Sequence, residues 1–485
     1  MTDTHANHTD KALRGLRHIG TARLVTQLLQ WGLTVITVHL LRPRDYGLVA
    51  TAGILTVFAQ MLLDGGLGEV LVSQKDLSCR LQGAAFSAVL FVSTVLGTLV
   101  FAAAPFASSF FHSPALRYII EVSSLSLPLN ALGVVPTAQL AKQMRFKTLA
   151  FAQTASGIAQ AFSTVALAYM GAAYWALIIG VFVGTGLSLA LRWAAVDHKP
   201  VPNLHLTELR PLFRNSSHMI GQRLSYFSID NLDIFLLSRI WGPVALGSYS
   251  VARNLAHTAL DKISAITGQI SVSAFAARSE TNDQIRGLIT IISAAATIIF
   301  PLFWIMGIVS QVAFPLVFGT RWANLVIPFL AFTAILPLRT VYSLVNAALI
   351  GTGRTGLTLK NTFTWAAILI PFMLVGTLAG PDGVALSWTV AFPLVFYVAT
   401  RQIARAFSIR VTIIWHPMLV PAACAGISAL IGEGVLIVLS THVTPALILA
   451  CQCTFAGVSY LLLLRQLSPA QYTQTLSLLR RIFTV

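Results

Sequence analysis

The sequence predicts an all-α integral membrane protein of about 14 transmembrane helices, on three observations. First, the 485 residues are 56% hydrophobic and only 10% charged, with a mean hydropathy of +0.77. A soluble domain carries about 25% charged residues, so this chain has too few to hydrate a surface of its size. Second, apolar stretches long enough to cross roughly 30 Å of hydrocarbon as a helix recur from Gly20 almost to the C-terminus. They are long and non-alternating, which excludes a barrel of short alternating strands. Third, basic residues concentrate in every second loop, the pattern that fixes orientation in a bilayer.

In chain order the expected spans are 20–41, 46–67, 81–103, 119–140, 148–170, 173–195, 217–240, 244–276, 287–318, 325–350, 359–378, 384–402, 413–440 and 444–464. The seventh and eighth carry several charges and read as helices lining water or protein rather than lipid. The ninth is too long for one straight crossing. The basic loops hold Lys11, Arg14 and Arg17, then Lys142, Arg145 and Lys147, and later Arg401, Arg405 and Arg410. The opposite set holds few, such as Arg42, Arg44 and Arg117. Both termini belong to the basic set, so both are expected in the cytoplasm. The net charge of +16 is assigned to these loops. No nucleic-acid partner is expected, because the chain has no basic domain. The polar segment 1–17 reads as a disordered cytoplasmic N-terminus, followed by a first membrane helix rather than a cleaved signal peptide. Cys79, Cys424, Cys451 and Cys453 lack converging partners and read as small apolar fillers, so neither metal nor disulfide framework is expected. No cofactor is expected either.

Two motif pairs suggest an internal duplication. Pro43-Arg-Asp-Tyr-Gly47 and Pro243-Val-Ala-Leu-Gly247 are both P-x-x-x-G, between spans 1 and 2 and spans 7 and 8. Leu127-Pro128-Leu129 and Leu336-Pro337-Leu338 recur in spans 4 and 10, followed by Arg145 and Arg354. Six helices separate each pair, which implies a parallel repeat of six plus six helices with two appended. The expected divisions are 18–195 for the first six-helix bundle, a cytoplasmic linker over 196–214, 215–406 for the second bundle, 407–465 for the two further helices, and a cytoplasmic tail over 466–485.

Several segments together resemble a known family. They are Pro43–Gly47, the stretch from Asp64-Gly-Gly-Leu-Gly to Gln74-Lys-Asp-Leu77, Arg145-Phe-Lys147, Asn231-Leu-Asp233 with Leu246-Gly-Ser-Tyr-Ser250, and Phe318-Gly-Thr-Arg-Trp322. In this order and spacing the chain resembles the polysaccharide flippases of the Wzx/WzxC type, in the MOP exporter superfamily. The resemblance covers most of residues 15–410. It departs where Ala274 stands near a proline usual after the eighth helix. The resemblance implies two six-helix bundles in a V, alternately open to each side of the bacterial inner membrane. It implies a cargo of oligosaccharide on a polyprenyl pyrophosphate carrier, membrane lipids as surroundings, and polymerase and chain-length or export proteins as partners.

A cavity for such cargo must replace water around sugars and pyrophosphate. Arginine offers a bidentate fork for phosphate, and charges inside a span are functional candidates by default. The substrate-binding candidates are Arg23, Arg223, Arg253, Arg339 and Asn231. Asp230, Asp233, Asp261 and Glu69 are candidates for ion pairing or coupling. Arg223 and Asp230 lie two turns apart on one helical face, where a structural buried pair is an equally good reading. Arg23 lies near a membrane edge and can equally snorkel. Trp31, Tyr226, Phe227, Trp304 and Trp365 can stack sugars, although ordinary packing is the stronger expectation for each. Two other functions compete: multidrug or metabolite efflux within the same superfamily, and a membrane polysaccharide polymerase or ligase. The intramembrane arginines speak against the first. The short outer loops, without a carboxylate pair or a phosphate-binding glycine loop, speak against the second and against an enzyme generally.

Overall fold

The structure is a computed structural model. It describes residues 29–63, 78–203, 224–276, 281–351, 355–407, 409–439 and 443–473. Every regular element among the described residues is helical. Among the described residues, nine segments are long and apolar enough to cross a membrane. One of the nine, Gly356–Arg405, contains two helices joined by a turn. The described parts of the remaining expected spans are helical as well, but more polar or shorter.

The chain groups into two compact units, Met1–Gly247 and Ser248–Val485. The first contains α1 (Leu29–Leu40), α2 (Pro43–Leu63) and α3 (Cys79–Phe110). The fourth expected span is not one helix. It is α4 (Ala115–Ser124), α5 (Ser126–Ala131) and α6 (Val134–Lys142), broken at Leu125 and again at Leu132 and Gly133. Pro128 and Pro136 lack the amide hydrogen a continuous helix would use. Next come α7 (Phe146–Tyr169) and α8 (Tyr174–Ala195), which pack closely as a hairpin. Gly180 and Gly184 allow that approach, since a Cβ at Gly184 would lie 2.8 Å from the Gln160 Cβ and 3.0 Å from the Ser156 carbonyl oxygen. The Arg145 guanidinium donates to the Ala195 carbonyl at 2.7 Å, tying the start of α7 to the end of α8. This is a local structural use for the R-F-K motif. Leu48, Leu63, Val100, Ile119, Leu127 and Ile178 meet in the apolar centre of this unit.

The seventh expected span is interrupted. Residues 224–230 form α9, and α10 (Leu232–Ile240) begins after a break at Asn231, whose φ/ψ are −108° and 10°. Asp233 follows this break. Asn231 Nδ2 donates to the Phe227 carbonyl at 3.0 Å, the local side-chain bond with which asparagine competes against a regular helix.

The two P-x-x-x-G motifs lie against each other. A Cβ on Gly47 would overlap the carbonyl of Pro243, and one on Gly247 would overlap the carbonyl of Pro43. The contact is reciprocal. Next to it, Thr51 Oγ1 and Ser238 Oγ are 2.7 Å apart.

The second unit contains most of α11 (Gly242–Ala276), then α12 (Thr281–Phe318), a 3-10 turn (Thr320–Leu325), α13 (Val326–Gly351), α14 (Thr355–Gly376), α15 (Gly380–Ala406), α16 (Thr412–Leu439) and α17 (Pro445–Leu467). α12 is 38 residues long and contains Pro301 and Pro315. Gly319 ends it at φ +81°, a conformation that side chains rarely tolerate. That explains the glycine of the F-G-x-x-W motif, and Trp322 closes the turn fully buried. α16 and α17 pack onto α12, where Tyr460 donates to the Thr297 carbonyl at 2.6 Å. Gln311 donates to Glu433 at 2.8 Å, so a carboxylate within α16 is held by a neutral amide.

Candidate functional site

The arginine of the L-P-L motif in α13 is the best-defined buried cation. Arg339 is 6% exposed and lies near the middle of a 26-residue apolar helix. Its guanidinium carbon stands 4.9 Å from the ring centre of Trp388. The corresponding distances are 5.5 Å to Trp365 and 6.0 Å to Phe392. Nη1 lies 3.2 Å from His257 Nε2, which receives the bond as a neutral imidazole nitrogen. Tyr342 lies edge-on to both Trp365 and Phe392. The cation is thus held by the faces of aromatic rings from α14 and α15 and by a histidine from α11.

Each element supplies its part by helical register. Arg339 and Tyr342 lie three apart on α13, Trp388 and Phe392 four apart on α15, and Arg253 and His257 four apart on α11, so each pair shares a face. Arg253 is also 6% exposed. On α14 the buried face continues from Trp365 to Asn361, which is fully buried. Neither polar atom of the Asn361 side chain has a hydrogen-bond partner among the described residues, and the same holds for Thr358 Oγ1. Buried polar atoms left this way normally hold water or a ligand group. A cation at this depth, with unspent amide and hydroxyl groups on a neighbouring helix, can bind an anion together with hydroxyl groups.

Two of the predicted residues, Arg339 and Arg253, therefore lie in the same unit, with His257 in contact with the first and one turn from the second. Asp233 is fully buried and accepts from the Ile234 amide at 2.7 Å. Asn231 is partly committed to backbone, and Asp230 is half-buried at the end of α9. Arg23, Arg223 and Glu69 lie outside the described residues, as does the side chain of Asp261. The D-G-G-L-G stretch and Arg354 lie outside them too. Among the aromatic candidates Trp365 joins the cage, whereas Trp304 donates to the Ala334 carbonyl and Phe227 packs on Phe58. His257, Trp388 and Phe392 were not among the sequence candidates. A histidine one turn from Arg253 was the available signal for the first.

A family profile described as polysaccharide biosynthesis protein matches residues 36–327. The chain belongs to that family. It is 23% identical over 390 residues to the lipopolysaccharide biosynthesis protein WzxC of Escherichia coli, covering 78% of each chain. It is 25% identical over 316 residues to the succinoglycan biosynthesis transport protein ExoT of Rhizobium meliloti, covering 62% of this chain and 64% of that one. Among solved structures it superposes on the lipid II flippase MurJ, inward closed conformation, with a TM-score of 0.74 at 13% identity over 92% of this chain and 97% of that one. A multidrug resistance MATE family transporter of the MOP superfamily gives a TM-score of 0.60, covering 79% and 95%. At these identities the likeness shows the fold alone, which this chain shares with both structures.

Proposed function

We propose that the protein moves polyprenyl-pyrophosphate-linked oligosaccharide repeat units from the cytoplasmic to the outer leaflet of a bacterial inner membrane. The reading is alternating access between two six-helix bundles with two further C-terminal helices, 14 spans in all and both termini in the cytoplasm. The family membership supports it, and the observation that carries it is the caged Arg339. A guanidinium fixed deep in a membrane helix, with unspent amide and hydroxyl groups on a neighbouring helix, suits a headgroup of phosphates and sugars. Arg253 joins Arg339 in contacting the anionic head. Arg23, Arg223 and Asn231 complete the substrate set, with Asp230, Asp233, Asp261 and Glu69 as ion-pairing or coupling groups. A polysaccharide polymerase and chain-length or export proteins are the downstream partners.

Efflux of a drug or metabolite is the second reading, because the MATE transporter shares the fold. A strain lacking the protein separates the two. With a membrane-impermeant sugar-oxidising reagent on spheroplasts, complete repeat units should remain protected on the cytoplasmic side and become accessible on complementation. Repeat units that reach the outer leaflet without the protein would reject translocation and favour efflux.

A further inference from the structure

The first unit contains a polar cavity lined by none of the residues of the arginine cage. It occupies about 210 Å³ between α5, α7 and α8, and its polar walls are Asn130, Ser156, Gln160, Thr185, Ser188 and Arg192. None of its lining residues is a carboxylate. The guanidinium lies against Gly133, with Arg192 Nη1 3.5 Å from where a Cβ would stand. Trp193 fixes the neighbouring turn by donating to the Leu132 carbonyl at 3.0 Å. Arg192 Nη1 donates to Thr137 Oγ1 at 3.1 Å, but its Nε is buried without a partner among the described residues. Ser188 is 8% exposed, and its hydroxyl is likewise without a partner. Gln160 is exposed and marks the open wall.

The cavity therefore combines one fixed positive charge with an excess of unspent donors, and it contains no negative group. Water could fill it, since the volume holds about seven molecules at ~30 Å³ each. Water would satisfy the donors but leave the cation, half-buried in the last turn of α8, without a counter-charge. An anionic oxygen group answers both needs. The volume lies below the ~300 Å³ at which sites for larger ligands begin, so it accommodates one group and not a repeat unit. Arg192 is in the last turn of α8, and Ser188 and Thr185 step inward from it over about 10 Å at 1.5 Å per residue.

We propose that this cavity is a receiving subsite for a single oxyanion of the cargo head, either a carrier phosphate or the carboxylate of an acidic sugar. It rests on the transport reading and on the expectation that this end of α8 faces the cytoplasm. Arg192 supplies the charge, Ser188 the inner hydroxyl donor, and Gln160 the group at the mouth.

The test uses the full chain in lipid nanodiscs, titrated separately with inorganic pyrophosphate and with sodium glucuronate while thermal unfolding is followed. One probe should raise the melting temperature saturably. The apparent affinity should fall about tenfold or more in Arg192→Gln and several-fold in Ser188→Ala, as expected for lost charge-assisted and neutral bonds. The probe that binds names the source of the oxyanion. Ser188→Ala also guards against misfolding in the arginine variant. With the probe absent it should melt no lower than wild type, because it removes a buried hydroxyl that has no protein partner. Response to neither probe, or equal affinity in wild type and Ser188→Ala, overturns the proposal. Probe binding with the expected dependence, together with repeat units that cross the membrane in the deletion strain, leaves the subsite standing and rejects the transport reading.

Discussion

Replacing Arg339 by methionine separates a cation kept for cargo from one kept for stability. Methionine retains most of the apolar stem and removes the charge. Two contributions described above are lost. Cation–π contact with desolvated rings is worth about 2 kcal/mol, and a hydrogen bond from a charged donor, here to His257 at 3.2 Å, about 1.5 kcal/mol. One cost is relieved, because a charge at the centre of a membrane helix costs about 2.5–3.5 kcal/mol on insertion scales. The balance is within about 1 kcal/mol of zero, in line with buried charges whose replacement by apolar residues is often neutral or stabilising. Arg339→Met should therefore melt within a few degrees of wild type in detergent, yet lose ten-fold or more of its ability to restore repeat units to the outer leaflet, an estimate from one lost charge-assisted contact to the cargo. Arg339→Lys should recover part of that loss, since it restores charge without the planar fork. A fall in stability of about 3 kcal/mol or more, the signature of breaking a buried pair, with transport declining only in proportion to folded protein, would refute the reasoning and make Arg339 a structural residue.

Four further outcomes follow from the packing. Gly247→Ala drives a methyl into the Pro43 carbonyl and should destabilise by about 1–3 kcal/mol. Gly53→Ala, with nothing within 4 Å of its Cβ, should be neutral or gain about 0.5–1 kcal/mol in the same melting assay. Asn361→Leu removes two buried polar atoms without protein partners and should raise the melting temperature while impairing transport; an unchanged transport rate would remove Asn361 from the site. Arg145→Ala frees the Ala195 carbonyl and should lower the melting temperature modestly, by about 1 kcal/mol, with transport per folded molecule unchanged.

Membrane class and helical architecture were legible because they depend on segment length and hydropathy, which are properties of consecutive residues. Pro128 and Pro136 gave a partial signal for the breaks that divide the fourth expected span, but proline alone does not distinguish a kink from an interruption. The break at Asn231 was hidden, since asparagine is tolerated in helices until its side chain finds a backbone partner such as the Phe227 carbonyl. Arg339 stood out as a charge amid apolar neighbours. Its cage did not, because Trp365, Trp388 and Phe392 come from two other helices and no spacing along the chain encodes their convergence. Arg192 was overlooked for the opposite reason: an arginine in a final helical turn ordinarily reaches for water, and only packing against Gly133 and Thr137 turns it inward. The two P-x-x-x-G motifs were legible as a pattern, while their reciprocal contact required the fold.

The most direct measurement is reconstitution of the purified chain into proteoliposomes with a fluorescent polyprenyl-pyrophosphate-linked oligosaccharide, read by an impermeant quencher. Without protein about half of the lipid should be accessible, the share expected for a symmetric bilayer distribution. With wild-type protein the accessible fraction should rise toward completion, and with Arg339→Met it should rise far more slowly. An accessible fraction that stays at half with folded wild-type protein, under either pH or sodium gradients, would contradict the claim that this chain carries lipid-linked saccharide across the membrane.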